Sequence, residues 1–388
     1  MNRGGSCLFR QPSSRTSSPS RLLYQAVATV ARTAFVTRQV GNWRNCDVSC
    51  PANCHSNHST VKRETRMSTT ELPLLVIPGD DPVQIAGSPR LETLREHFEI
   101  RLHDNRPAND DEKIERATGA TALINSRGAV TWPGDVLGQL PDLKFISTCG
   151  IGTDSIDLAA CRELGITVSN IPGRTAPVVA EHAFALMMAI SRRTSYFTAA
   201  MKRNDWHQIL STSLSGKTLG VIGTGNIGTE MIRLSRAFGM EVIAWSFNPD
   251  GEKAQQMGFR YVERDEVFSQ SDVVSLHVKL TDDSRHLVAS RELSLMPPGS
   301  LLVNTARGAV VDTAALVEAL DSGHLGGAAL DVYENEPLET DHPLIRCEHV
   351  VLTPHCADQT PEGNDLLNLG AMENAIAFLQ GHPQNVVS

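Results

Sequence analysis

Ten short apolar runs, bounded by Gly, Pro or Asp and mostly separated by stretches of helical length, constrain this chain more than any other feature. Four come early: PLLVI (73–77), TALI (121–124), KFIST (144–148) and ITVS (166–169). A long helical stretch from about Pro177 to Asn204 follows, and then six more: TLGVI (218–222), EVIAW (241–245), VVSLH (273–277), SLLVN (300–304), GAALD (327–331) and HVVLT (349–353). Nearly continuous apolarity means that both faces of a strand are covered, as in a parallel sheet flanked by crossover helices. The pattern predicts an α/β chain with a doubly wound parallel sheet in its second block.

The sharpest local signal is G-T-G-N-I-G, with Gly223, Gly225 and Gly228, directly after TLGVI and opening a helix near Asn226. Strand before and helix after are the context a dinucleotide fingerprint requires. Gly223 permits the tight turn, Gly225 lets a pyrophosphate approach the backbone, and Gly228 lets the helix pack on the sheet. The anion is attracted by the free N–H groups and dipole at the helix N-terminus. Cofactor choice is read at the end of EVIAW, where an NAD enzyme usually carries Asp or Glu for the ribose hydroxyls. Here the position is Ser246, followed by Phe247 and Asn248, and no Arg or Lys between Trp245 and Glu252 is available to clamp a 2′-phosphate. The balance favours NAD and leaves NADP open.

Charge is unevenly spread over the 388 residues. Residues 1–66 hold 10 of the 35 Lys and Arg but 2 of the 44 Asp and Glu, so this tail is net +8 and the remaining 322 residues net −17. Such a Ser-rich, acid-poor leader resembles an organellar transit peptide, which would place the protein in mitochondria; alternatively, Met67 is the true start. Wheeling residues 21–38 as a helix leaves no clean polar face, which favours the second explanation. The tail's Cys46, Cys50, Cys54, His55 and His58 lack the spacing of common zinc sites, so no metal is expected. An acidic body argues against nucleic acid as a partner, and no apolar run reaches the ~18 residues of a membrane-spanning helix. Cys149, Cys161, Cys347 and Cys356 are expected to be reduced thiols in a cytoplasmic compartment.

From about residue 70 onward the chain resembles the D-isomer-specific 2-hydroxyacid dehydrogenase family, including its phosphoglycerate dehydrogenase-like members. The resemblance is carried by STCGIGTDSIDL (147–158), GITVSNIPG (165–173), VVAEHAFALMM (178–188), GKTLGVIGTGNIG (216–228), VNTARGAVVD (303–312), LDVYENEPL (330–338) and LTPHCADQT (352–360). It implies two Rossmann-like doubly wound domains: a substrate domain of residues 70–171 plus 355–388, split around a dinucleotide-binding domain of residues 172–354. It also implies a homodimer built on the coenzyme domain. The family's catalytic Arg, Glu and His fall on Arg307, Glu336 and His355. A guanidinium fork can hold the carboxylate and carbonyl of a 2-oxo acid together, and an imidazole suits proton exchange near neutrality. A neighbouring carboxylate would keep that imidazole protonated.

The same resemblance places the amides of Ile151 and Gly152 at the substrate carboxylate, and Asn226 and Ile227 at the pyrophosphate. It puts Ser246 at the ribose, Val278 and Lys279 beside the adenosine, Thr305 and Ala306 near the nicotinamide ribose, and Asp331 at the carboxamide. Lys279 and Ser246 depart from the Pro and Asp common in the family. Ser126 and Arg127 occupy a stretch that faces phosphate in phosphoglycerate dehydrogenases, and Arg174 lies near the hinge, so a phosphorylated or dicarboxylic substrate is one expectation and a solvated Arg127 the other. His182 reads as a helix histidine at the domain junction. Two rival functions stand beside hydride transfer: an NAD(H)-sensing transcriptional co-regulator on the same fold, and formate oxidation, against which Glu336 argues because that branch carries Gln.

Overall fold

The computed structural model describes residues 71–388; the readings made on residues 1–66 lie outside the described residues. Two parallel sheets organise the chain. The first contains β1 (Leu74–Ile77), β2 (Glu99–Leu102), β3 (Ala122–Ser126), β4 (Phe145–Cys149) and β5 (Thr167–Ser169) in the order β2-β1-β3-β4-β5. The second contains β6 (Thr218–Ile222), β7 (Glu241–Trp245), β8 (Arg260–Tyr261), β9 (Val273–Leu276), β10 (Leu301–Asn304), β11 (Gly327–Leu330) and β12 (Val350–Leu352), ordered β12-β11-β10-β9-β6-β7-β8. Each order reverses once, between β1 and β3 and between β6 and β9. Such switch points open a crevice at the carboxyl ends of the strands.

The ten apolar runs all appear as strands, and all but β12 are buried over most of their length; β12, at a sheet edge, is only partly buried. β2 and β8 were not among them. β2 (EIRL) is nowhere fully buried and β8 is two residues long. Both are sheet edges, where a strand needs no continuous apolar run.

The helical stretch expected from about Pro177 to Asn204 is present as two helices, Ala176–Ser191 and Thr194–Lys202. Arg193 between them is left-handed, with φ 52°, a conformation costing roughly 1–2 kcal/mol for a residue with a Cβ. The break is held from outside the helix. Thr212 donates its backbone N–H to the Ser191 carbonyl at 2.8 Å, and Arg193 Nη1 meets His349 Nδ1 at 2.7 Å.

The first of these helices buries Ala176, Val179, Ala180, Ala183, Leu186, Met187 and Ile190 on one stripe. That stripe joins the core beneath the second sheet, with Val221, Met231, Val303 and Ala329. At the far end of the chain, the helix Pro361–Leu379 buries Leu367, Ala371, Met372 and Ala375 against Leu75, Ile77 and Phe145 of the first sheet. Each large aliphatic so buried contributes roughly 1.5–3 kcal/mol. The last residues then extend the first sheet: Val387 N–H donates to the Val168 carbonyl at 2.8 Å, and Ser169 bridges Val386 in antiparallel sense. The chain thus leaves the first sheet after β5, completes the second, and returns. Two Rossmann-like lobes result, their strands pointing their carboxyl ends at one cleft. Among the described residues, no helix is long and apolar enough to cross a membrane.

Candidate active site

The cleft has a volume of about 430 Å³. Its wall is built from the segments that follow β3, β4, β6, β10, β11 and β12, which is why residues so far apart in sequence meet there.

The glycine turn after β6 divides three jobs among three glycines. Gly223 has φ 96°, and a Cβ there would lie 2.8 Å from the His277 carbonyl oxygen. A Cβ on Gly228 would overlap the Gly223 carbonyl, so helix and turn touch backbone to backbone. Gly225 has nothing within 4 Å of where its Cβ would be, so the turn is open there. The helix that starts at Asn226 leaves the first amides, those of Asn226, Ile227 and Gly228, without intrahelical acceptors. Across the cleft the buried Thr305 hydroxyl has no hydrogen-bond partner from the protein, and its place on the cleft wall leaves it available to a ligand. An open amide-lined turn and an orphaned hydroxyl fit a dinucleotide. Ser246 follows β7, half-buried; Val278 is buried behind the glycine turn, Lys279 beside it is exposed, and Ala306 is buried next to Thr305.

His355 sits just beyond β12 with φ 50°, another left-handed residue with a Cβ. Its Nδ1 meets Glu336 Oε2 at 2.6 Å, and Glu336 Oε1 accepts the Tyr333 backbone N–H at 3.0 Å. The imidazole remains 46% exposed, so Nε2 is free to face the cleft. The hydrogen bond to Glu336 holds the His355 pKa above its ordinary value, against the opposing effect of burial. Burial alone would raise Glu336; hydrogen bonds from His355 and the Tyr333 amide outweigh it, and the carboxyl lies below its usual range.

Arg307 follows β10 and lines the same cleft. Its Nε contacts Asp154 Oδ2 at 3.1 Å and its Nη1 donates to the Ala306 carbonyl at 2.7 Å. A Cβ on Gly152 would collide with Arg307 Nη2, so the guanidinium lies directly on the Ile151–Gly152 backbone. The amides of Ile151 and Gly152 donate to no other backbone group among the described residues.

Asp331 lines the cleft too, its carboxylate held by three hydrogen bonds that leave Oδ2 one further acceptor site. Oδ1 accepts the Thr353 hydroxyl at 2.6 Å and the Cys356 amide at 2.9 Å, and Oδ2 accepts the Ala357 amide at 2.9 Å. His182 Nε2 lies 3.1 Å from Thr353 Oγ1 and 3.4 Å from Asp331. Because the Thr353 proton is committed to Asp331, His182 Nε2 must be the donor. The group fastens the turn that carries His355. His182, Asp331 and Cys356 also converge within 4.8 Å, in an arrangement that hydrogen bonding to the backbone accounts for.

Arg127, which also has positive φ (52°), lies against the substrate-lobe wall rather than in solvent. Its Nη2 pairs with Asp358 at 2.8 Å and its Nη1 with Gln84 at 3.1 Å. Arg174 pairs with Glu373 and does not line the cleft. Residue-by-residue sequence reading did not single out Asp154, Tyr333, Gln84 or Asp358; the first two and the last stand inside motifs quoted above, whereas Gln84 carries no motif signal.

A glycine turn at one switch point, facing a histidine–carboxylate pair and an arginine, has the parts of a nicotinamide-dinucleotide oxidoreductase. Comparison with known proteins agrees. Residues 184–357 match the family model described as D-isomer specific 2-hydroxyacid dehydrogenase, NAD binding domain. A glyoxylate reductase of Aeropyrum pernix is 37% identical over 309 residues, covering 77% of this chain and 92% of that one. A D-3-phosphoglycerate dehydrogenase of Archaeoglobus fulgidus is 38% identical over 276 residues, 70% of this chain but 52% of the relative. Among solved structures, a glyoxylate reductase from Paecilomyes thermophila superposes with a TM-score of 0.74 at 30% identity, covering 81% of this chain and 98% of the other. The chain belongs to the D-isomer specific 2-hydroxyacid dehydrogenase family. Its cofactor is a nicotinamide dinucleotide.

Proposed function

We propose that the protein interconverts a 2-oxo acid and a D-2-hydroxy acid. The observation that carries the proposal is the 2.6 Å His355–Glu336 pair sharing one cleft with Arg307 and the glycine turn. The bound dinucleotide supplies or accepts the hydride. Arg307 grips the carboxylate and carbonyl oxygen of the substrate, and the amides of Ile151 and Gly152 complete the carboxylate cradle. His355 delivers a proton from Nε2 to the carbonyl oxygen during reduction and removes it during oxidation, while Glu336 keeps the ring charged and oriented. Gly223, Gly225, Asn226, Ile227 and Gly228 seat the pyrophosphate. Ser246, Val278 and Lys279 take the adenosine end, and Thr305, Ala306 and Asp331 the nicotinamide end.

NAD is the favoured form. Two cations near the end of β7 are already occupied: Lys253 Nζ donates to the Thr224 carbonyl at 3.3 Å, and Arg264 lies 6.0 Å from the centre of the Trp245 ring. The substrate lobe is assigned residues 70–171 plus 355–388, the dinucleotide lobe residues 172–354, and the working unit a homodimer. Four free cysteines among the described residues suit a reducing, cytoplasm-like compartment. The test is a reduction screen of glyoxylate, hydroxypyruvate, phosphohydroxypyruvate and pyruvate, each with NADH and NADPH. Turnover of none of them would overturn the proposal.

A further inference from the structure

Of the charged side chains that line the cleft, the two arginines are differently placed. Arg307 touches Asp154, a carboxylate 61% exposed to water, so screening leaves its charge largely available to an incoming anion. Arg127 is enclosed. Its side chain is 14% exposed, and its partner Asp358 is 26% exposed. Gln84 Oε1 takes a second N–H, and Gln84 is itself fixed by Asn368, to which its Nε2 donates at 2.9 Å. With its amide oxygen turned toward the guanidinium, as the hydrogen-bond network requires, Gln359 accepts from Nε at 2.6 Å. Every edge of the Arg127 guanidinium therefore has an acceptor from the protein, and one of them is a carboxylate.

We infer that Asp358 is a selectivity residue that neutralises Arg127 and keeps substrates bearing a second anionic group out of the cleft. The inference rests on the reading of the cleft as a 2-oxo acid site and narrows it to short 2-oxo acids with an uncharged side chain. A phosphate or second carboxylate arriving at this wall meets the Asp358 carboxylate instead of an open guanidinium. To bind, it must either displace a charge-assisted hydrogen bond or lie beside a like charge, and each alternative is unfavourable at a partly buried site. Asp154, Glu334 and Glu336 also line the cleft, so the field along it is acidic apart from Arg307 and protonated His355. One substrate carboxylate is matched; a second anion is not.

The experiment compares kcat/KM for glyoxylate and hydroxypyruvate with that for 3-phosphohydroxypyruvate and oxaloacetate, in the natural protein, Asp358→Asn, Asp358→Ala and the double variant Asp358→Asn with Arg127→Gln. The natural protein is expected to favour the uncharged side chains by about a hundredfold, and Asp358→Asn to raise the charged-to-uncharged ratio by about tenfold, chiefly through a lower KM for the charged substrate. The double variant should lose that gain, because no guanidinium remains to be exposed. If Asp358→Asn misfolds, the ratio measured in Asp358→Ala decides. An intrinsic preference for the phosphorylated or dicarboxylic substrate, or a ratio unmoved in both single variants, overturns the assignment of Asp358 while leaving the 2-oxo acid reading intact. Absence of turnover with all four substrates overturns both.

Discussion

In the proposed reaction Arg307 grips the substrate and the His355–Glu336 pair supplies the proton, and single substitutions separate the two roles. Replacing Arg307 by Lys keeps the charge and removes the planar fork that spans two oxygens. kcat/KM for the best 2-oxo acid should fall by about a thousandfold, equivalent to roughly 4 kcal/mol of transition-state stabilisation, while the Kd for reduced cofactor changes little. Near-normal turnover would remove Arg307 from the site. The acid pair has a pH signature. Because Glu336 raises the His355 pKa, the protonated ring persists above its unperturbed value of about 6.5, and reduction should persist with it. Oxidation needs the neutral ring and should improve as pH rises. In Glu336→Gln the reductive limb of kcat/KM should move to lower pH, with activity retained at acid pH; an unmoved profile means another group sets the acid. Folding stability carries the same signs. The raised His355 contributes fully below about 6.5 and loses its contribution as pH climbs through its folded pKa. The lowered Glu336 contributes above about 4.3 and loses it as pH falls. The Gln variant should therefore lose most thermal stability, relative to the natural protein, between those two values.

At the scale of elements, the glycine turn after β6 shows that neighbouring glycines are not equivalent. Gly228→Ala forces a methyl into the Gly223 carbonyl, which should cost about 1–3 kcal/mol and lower Tm. Gly225→Ala places its methyl in open space at a helix N-cap, where Gly exceeds Ala by about 1 kcal/mol at most, so the fold should survive. Its methyl would nevertheless occupy the anion's approach, and cofactor Kd should rise by at least about tenfold. Thermal melts with and without NADH separate the two; a Gly225→Ala protein that binds cofactor normally would contradict the placement. The turn was legible in sequence because its constraint is local. Strands with continuous apolar runs were legible for the same reason, and β2 and β8 were not, since charged residues interrupt β2 and β8 is two residues long. The break at Arg193 carries no Gly or Pro and depends on Thr212, 21 positions beyond Ser191. Among cleft residues, Arg307, Glu336 and His355 stand in recognisable motifs at strand ends. Their pairings are not legible even where the residues fall inside motifs: Asp154 is 153 positions from Arg307, and Asp358 is 231 positions from Arg127. Only the folded chain brings those pairs into contact.

For the molecule as a whole, the proposed homodimer needs an apolar face on the dinucleotide lobe. Between the helix Thr194–Lys202 and β6, the chain presents Trp206 at 79% and Leu210 at 95% exposure, with Ile209 at 38% beside them. Single exposed apolar side chains are ordinary, but three within five residues of one connecting segment, two of them nearly naked, are the face we assign to the proposed dimer contact. A second copy of the chain is the occupant that our homodimer assignment supplies. Burying a Trp and a Leu at such an interface contributes roughly 1.5–3 kcal/mol each. Trp206→Ser with Leu210→Asp should then weaken association by on the order of a thousandfold, given tenfold per 1.4 kcal/mol. Sedimentation of the natural protein should give about twice the 42.1 kDa chain mass, and the double variant should shift toward one chain mass at micromolar concentration. Because association stabilises the folded state by mass action, the Tm of the natural protein should also rise with concentration while that of the variant does not. A natural protein that sediments as a single chain would refute the dimer; a variant that stays dimeric would move the interface elsewhere on the lobe.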